Sequence, residues 1–148
     1  MEVERLEEIQ ALRAGIEGLA ARLGAESATP TTLRRMREAL RDIKSAARAG
    51  DATRYLAATY RLEGHLYAAA GRPRLLKLVE DHRALAERYI RAFMRERDLT
   101  VADDEELVGA AAARDGARAQ AILQRNIRAF YERVAREMRQ SPPDVISR

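Results

Sequence analysis

The sequence contains no cysteine, which excludes a disulfide scaffold, a thiolate metal site and a cysteine nucleophile. It has no tryptophan, and aromatic residues make up only 5%. Valine, isoleucine and the aromatics are too scarce for a sizeable sheet, whereas Ala, Leu, Arg and Glu favour helix. No apolar run approaches the ~20 residues a membrane-spanning helix needs. The opening Met1-Glu2-Val3-Glu4-Arg5 lacks the basic-then-apolar order of a signal peptide, so the expectation is a cytoplasmic protein without membrane contact. Gly-rich phosphate loops, His-Glu-x-x-His zinc motifs and Gly-x-Ser-x-Gly elbows are missing, and with them the common enzyme signatures.

What is present is a 148-residue chain, the length of one domain with a substantial core. Lysine occurs only at Lys44 and Lys77, so nearly all of the 27 basic residues are arginine; with 23 acidic residues the formal charge is +4. A nucleic-acid surface concentrates positive charge on one face. Here Arg and Glu alternate, as in Arg83, Glu87, Arg88, Arg91, Arg95, Glu96 and Arg97, the pattern of a solvated, salt-bridged face.

Apolar periodicity marks six helices. Val3, Leu6, Ile9, Leu12, Ile16, Leu19 and Leu23 form a stripe on the first, about Glu2 to Leu23. Pro30 sits where a first helical turn tolerates a missing N–H, and Gly50-Asp51 makes a turn with Asp51 as cap. A third helix, about Ala52 to Ala70, carries Tyr55, Thr59, Leu62, Glu63 and Leu66 on one side, an apolar face interrupted by two polar residues one turn apart. A fourth, about Arg74 to Arg97, turns Leu75, Leu76, Val79, His82, Leu85, Tyr89, Ile90 and Phe93 inward. Asp103 opens a short fifth helix, and Asp115-Gly116 precedes the last, about Ala117 to Arg139, before a loose tail over residues 141–148. Short connections imply an all-α antiparallel bundle of about six helices.

Three stretches then point to a family. Leu12-Arg13-Ala14-Gly15-Ile16-Glu17-Gly18-Leu19-Ala20-Ala21-Arg22-Leu23, Leu66-Tyr67-Ala68-Ala69-Ala70-Gly71-Arg72-Pro73-Arg74-Leu75-Leu76 and Ala111-Ala112-Ala113-Arg114-Asp115-Gly116-Ala117-Arg118-Ala119 are similar, in order and spacing, to segments of the FCD domain. This is the effector-binding, dimerising C-terminal domain of GntR-family transcription regulators. The likeness runs from about Val3 to Met138 and implies one FCD-like domain over residues 1–140, without the winged helix that reads DNA in the complete regulators. The chain alone is then expected not to bind DNA directly.

Many FCD domains hold a divalent metal through an Asp and a His one helical turn apart and two later His residues. By the resemblance those positions are Thr59, Glu63, Asp104 and Asn126, so the family's metal ligands are replaced. With no imidazole, a zinc or nickel site is not expected, since these ions favour nitrogen donors; Glu63, Asp104 and Asn126 retain oxygens that suit a hard cation such as Mg²⁺, Mn²⁺ or Ca²⁺. His65 lies on the opposite face, two residues from Glu63. The favoured reading makes these residues the lining of a metal-free effector pocket. Arg13 corresponds to an arginine that in the family often faces the ligand cavity, where a guanidinium binds a carboxylate through two parallel bonds; its alternative role is a salt bridge to Glu17, four residues on. Tyr55 and Tyr89 could add hydroxyls.

The resulting expectation is a homodimeric sensor domain that binds a small carboxylate or acyl metabolite through Arg13, Tyr55, Thr59, Glu63, Tyr89, Asp104 and Asn126, with no cofactor. The rival reading is an enzyme using Glu63 and Asp104 as an acid–base pair, buried together so that one pKa rises. A purely structural helical partner would leave no cavity.

Overall fold

A computed structural model describes residues 2–140; the loose tail expected for residues 141–148 lies outside them. The described residues form six α-helices and one 3-10 turn, with no strand: α1 (Glu2–Glu26), α2 (Pro30–Ala49), α3 (Ala52–Ala69), α4 (Pro73–Phe93), a turn at Glu96–Asp98, α5 (Ala102–Ala112) and α6 (Gly116–Gln140). None of these helices is long and apolar enough to cross a membrane.

The helix limits follow from local chemistry. Thr29 caps α2 by accepting from the Thr32 backbone N–H at 3.2 Å, with Pro30 in the first turn where no N–H is needed. Gly50 closes that helix at φ 67°, a left-handed conformation that glycine adopts without strain. Asp51 and Asp115 accept from the Arg54 and Arg118 backbone N–H groups, each at 3.0 Å, and cap α3 and α6. Asp103 does not cap α5; its carboxylate instead receives bonds from Arg125 and Asn126.

α1 is the central element. It runs antiparallel to α6, as the pairs Arg22–Gln120, Arg13–Tyr131 and Glu7–Arg139 show, and also meets α3, α4 and α5. α2 packs on α3 and α5 instead of returning along α1. The expected rule that each helix lies beside its predecessor therefore fails for α1 and α2, and likewise for α3 and α4 and for α4 and α5; it holds for α2 and α3 and for α5 and α6.

The reason is the composition of α1. Its buried residues include Ala14, Gly18, Ala21 and Ala25, a small-residue ridge that lets α6 approach, together with Arg13 and Glu17. The stripe read from periodicity coincides with the buried face only at its start: Leu6 and Ile9 are buried, but Leu12 is 43% exposed and Leu19 42%. Leu85 of α4, expected to face inward, is 58% exposed.

Close helix packing has its tightest point at Gly24, where a Cβ would lie 2.0 Å from the Leu66 carbonyl oxygen. Gly24→Ala must push α1 and α3 apart, so we expect a loss of about 2 kcal/mol and a fall in Tm of roughly 4–8 °C. Gly64→Ala, with open space around the added carbon, should instead gain about 0.5–1 kcal/mol from helix propensity. Thermal unfolding of the two variants checks both signs.

Candidate functional site

Between α3, α5 and α6 lies a cavity of about 510 Å³, within the size range of small-molecule sites. Six of the seven sequence-predicted residues line it: Arg13, Tyr55, Thr59, Glu63, Asp104 and Asn126. Tyr89 does not. It is buried beside α1 and donates its hydroxyl to Glu2 Oε2 at 3.0 Å. Sequence reasoning missed Tyr60, Tyr131 and Arg136, which also line the cavity.

Behind two of the lining residues, Arg13 and Glu63, stands an ion network. Glu17, 0% exposed, accepts from Arg13 Nε at 2.7 Å, Tyr67 OH at 3.0 Å and Arg83 Nε at 3.2 Å. Arg83 Nη2 reaches on to Glu63 Oε1 at 2.7 Å, and Arg13 Nη1 donates to Tyr131 OH at 3.1 Å. The Arg83 guanidinium also lies over the Tyr60 ring, 4.4 Å from its centroid.

The two roles weighed for Arg13 are thus compatible: it bridges Glu17 and still borders the cavity. Arg83 corrects the sequence reading. Its alternating neighbours place it in a solvated ladder, yet its side chain is 13% exposed and holds two carboxylates together. The spacing of Arg13 and Glu17 was legible; that their partners sit 50 and 66 residues away was not.

Electrostatics divide the acids into three kinds. Burial alone would raise Glu17, but Arg13 and Arg83 overcome it and hold this carboxyl below its ordinary range. Burial pushes Glu63 up to about 7, against the pull of Arg83. Asp104, 9% exposed, is pushed up to about 8 by burial and by the nearby Glu63 and Asp103. No side-chain hydrogen bond or ion pair satisfies Asp104 among the described residues. Two hydroxyls are also buried without a partner, Thr59 Oγ1 and Tyr60 OH. Such groups cost about 1–3 kcal/mol each when left unmade.

Other lining groups are committed. Tyr55 OH donates to the Thr100 carbonyl at 2.7 Å, and Asn126, exposed at the rim, donates to Asp103 Oδ2 at 2.9 Å. Of Thr59, Glu63, Asp104 and Asn126, the residues weighed as oxygen donors for a cation, Asn126 is tied to Asp103 and Glu63 to Arg83. Thr59 has only a hydroxyl, which leaves Asp104 as the one free carboxyl among them. That donor set does not fit a zinc or nickel ion. Among the described residues no three His, Cys, Asp or Glu side chains are grouped to hold a metal. His65 and His82 stand off the cavity, His82 bonded through Nδ1 to the Leu78 carbonyl oxygen at 2.8 Å.

The family model of the FCD domain matches residues 8–129. The chain belongs to the FCD domain family, and the resemblance drawn from its three helical segments holds. Among solved structures it is similar to E. coli McbR/YncC, with a TM-score of 0.73 and 24% sequence identity. The match covers 88% of this chain and 66% of that one, so the present chain spans just under two thirds of that structure's length. No curated protein matches it.

Proposed function

We propose that this FCD domain is a small-molecule sensor of GntR type, binding an organic effector with a carboxylate or acyl group in the cavity. The observation that carries the reading is a pair of buried hydroxyls that make no hydrogen bond, Tyr60 OH and Thr59 Oγ1, the latter beside Tyr55, on the wall of a cavity that Arg13 also borders. Native interiors satisfy such groups almost without exception. A ligand that supplies the missing partners gives them a purpose. Arg13 is pre-oriented by Glu17 and Tyr131, and its five N–H groups exceed the bonds those two take, leaving donors for a carboxylate. The Glu63/Asp104 acid–base alternative is less well supported, because Glu63 is engaged by Arg83.

A thermal-shift screen of small mono- and dicarboxylates and acyl acids tests this. At a hundredfold excess over Kd a binder should add about 2.7 kcal/mol, raising Tm by roughly 5–10 °C. Thr59→Val and Tyr60→Phe delete the unpartnered hydroxyls. They should leave the free protein as stable or more so while weakening the ligand effect. Equal ligand response in both variants contradicts the reading.

A sensor of this type works as a dimer, so that effector occupancy changes the spacing of two attached DNA-binding domains. Exposed Leu12 and Leu19 on α1 and Leu78 and Leu85 on α4 support self-association. They lie on helices that adjoin one another, among charges of both signs such as Arg5 and Glu8 or the Lys77–Asp81 pair, as a self-complementary two-fold contact requires. Sedimentation should give a dimer, and Leu12→Glu with Leu85→Glu a monomer that keeps its helicity. A monomeric wild type contradicts the dimer.

A further inference from the structure

We infer that the ligand of this cavity carries an amino group as well as an acid group, the chemistry of a small amino acid, with its ammonium set against Asp104. The inference rests on the sensor reading and names the class of effector.

Charge and geometry lead to it. The buried network behind the cavity wall is balanced: Arg13 and Arg83 face Glu17 and Glu63, and every member has a bond to another. Asp104 is outside that balance. Its side chain is nine-tenths buried and lines the same cavity; its own backbone N–H is close to it, but no cation and no other side chain among the described residues bonds to it. A wholly anionic ligand could only share the proton that Asp104 holds, with Glu63 close by. An ammonium group instead supplies the counter-charge that lets the Asp104 carboxyl release its proton, and donates to the carboxylate so formed. Thr59 Oγ1 and Tyr60 OH remain as further acceptors or donors.

The acid end has its own partners. Arg97, Arg125 and Arg133, which line the cavity, are paired with Glu137, with Asp103 and Glu106, and with Asp98 and Glu137. Arg136 borders the cavity with no ion pair or hydrogen bond among the described residues. Together with the spare N–H groups of Arg13 it gives a carboxylate a place away from Asp104. A zwitterion therefore finds partners for both of its charges among the lining residues, whereas a simple acid uses only one set of them.

The test compares the twenty common amino acids with their deaminated counterparts, acids of the same carbon skeleton lacking the amino group. Binding is measured by calorimetry on the whole chain at pH 7. At least one amino acid should bind on the order of 10- to 100-fold more tightly than its deaminated partner, the worth of one charge-assisted hydrogen bond. Asp104→Asn, nearly isosteric but unable to become a carboxylate, should fold and lose that preference. Thr59→Val should weaken both members of the pair alike.

Equal or tighter binding of deaminated acids overturns the inference while leaving effector binding intact. Failure of both series overturns this inference and counts against the sensor reading. Stabilisation by Mg²⁺ or Mn²⁺ alone, lost in Asp104→Asn, also overturns it and makes a cation the occupant.

Discussion

Glu17→Ala should lower stability by about 3–5 kcal/mol, the cost of stranding buried charge, and drop Tm by roughly 10–15 °C. Glu17 is the common acceptor of Arg13, Tyr67 and Arg83 and is sealed from solvent. Its removal leaves the Arg13 guanidinium with only the Tyr131 hydroxyl. Arg83 is left with Glu63 and the faces of Tyr60 and Tyr67.

Loss of one partner is far more damaging than loss of a pair, because whole buried ion pairs exchange for apolar groups at little net cost. Arg13→Met combined with Glu17→Met should accordingly recover at least about half of the single-variant loss. Chemical denaturation of the two single variants and the double variant measures the coupling. Additive losses would mean that the network contributes no more than separate contacts.

The second large effect is a decline of stability with rising pH. In the folded chain Asp104 keeps its proton up to about 8 and Glu63 up to about 7. In the unfolded chain both release it in the ordinary carboxylate range. Between those limits the folded state binds more protons, so unfolding free energy falls as pH rises.

Glu17 acts in the opposite direction. Its depressed folded pKa gives stability that is present above the ordinary carboxylate range and lost on acidification below it. The free protein should be most stable at the upper edge of the ordinary carboxylate range, about pH 4–5, and lose on the order of 5 kcal/mol by pH 8. Asp104→Asn removes the larger part of the alkaline decline, and denaturation midpoints from pH 5 to 8.5 follow it. A wild-type profile that rises over this interval, or an Asn variant with the same slope, contradicts the assignment of Asp104 as a buried, unpaired acid.

Much of the architecture was legible because helix ends obey local chemistry. Asp51, Asp115, Pro30 and Gly50 act within a few residues, so a sequence displays them directly. The facing of helices was less legible. On α1 the stripe is buried only at its start, at Leu6 and Ile9; Leu12 and Leu19 lie outside, where the buried face passes to alanine, glycine and an ion pair. Hydrophobicity alone cannot rank Gly18 and Gly24 above leucine as packing residues, since their value lies in letting another helix come close. The spacing of Ala14, Gly18, Ala21 and Ala25 was the signal available for it.

The site divides in the same way. Thr59 and Glu63 were visible as a polar interruption one turn apart in an apolar face, and the family resemblance supplied Arg13, Asp104 and Asn126. Tyr60 follows Thr59 directly but belongs to no stripe, so only the fold brings its hydroxyl to the cavity wall. Arg83 was hidden by its neighbours: the same alternation that makes Arg91 and Glu87 an exposed pair at 2.7 Å continues into a residue the bundle buries. Tyr89 faces inward as its position on α4 implies, but towards α1 and Glu2; an inward direction does not say which neighbour it meets.

The most direct measurement of the central claim is a crystal structure of the chain grown with its best-stabilising small acid. Density for that molecule between Thr59, Tyr60 and Asp104, with its acid group at Arg13 or Arg136, is the predicted result. An interior in which those side chains bond only to one another, with the additive elsewhere or nowhere, would contradict it.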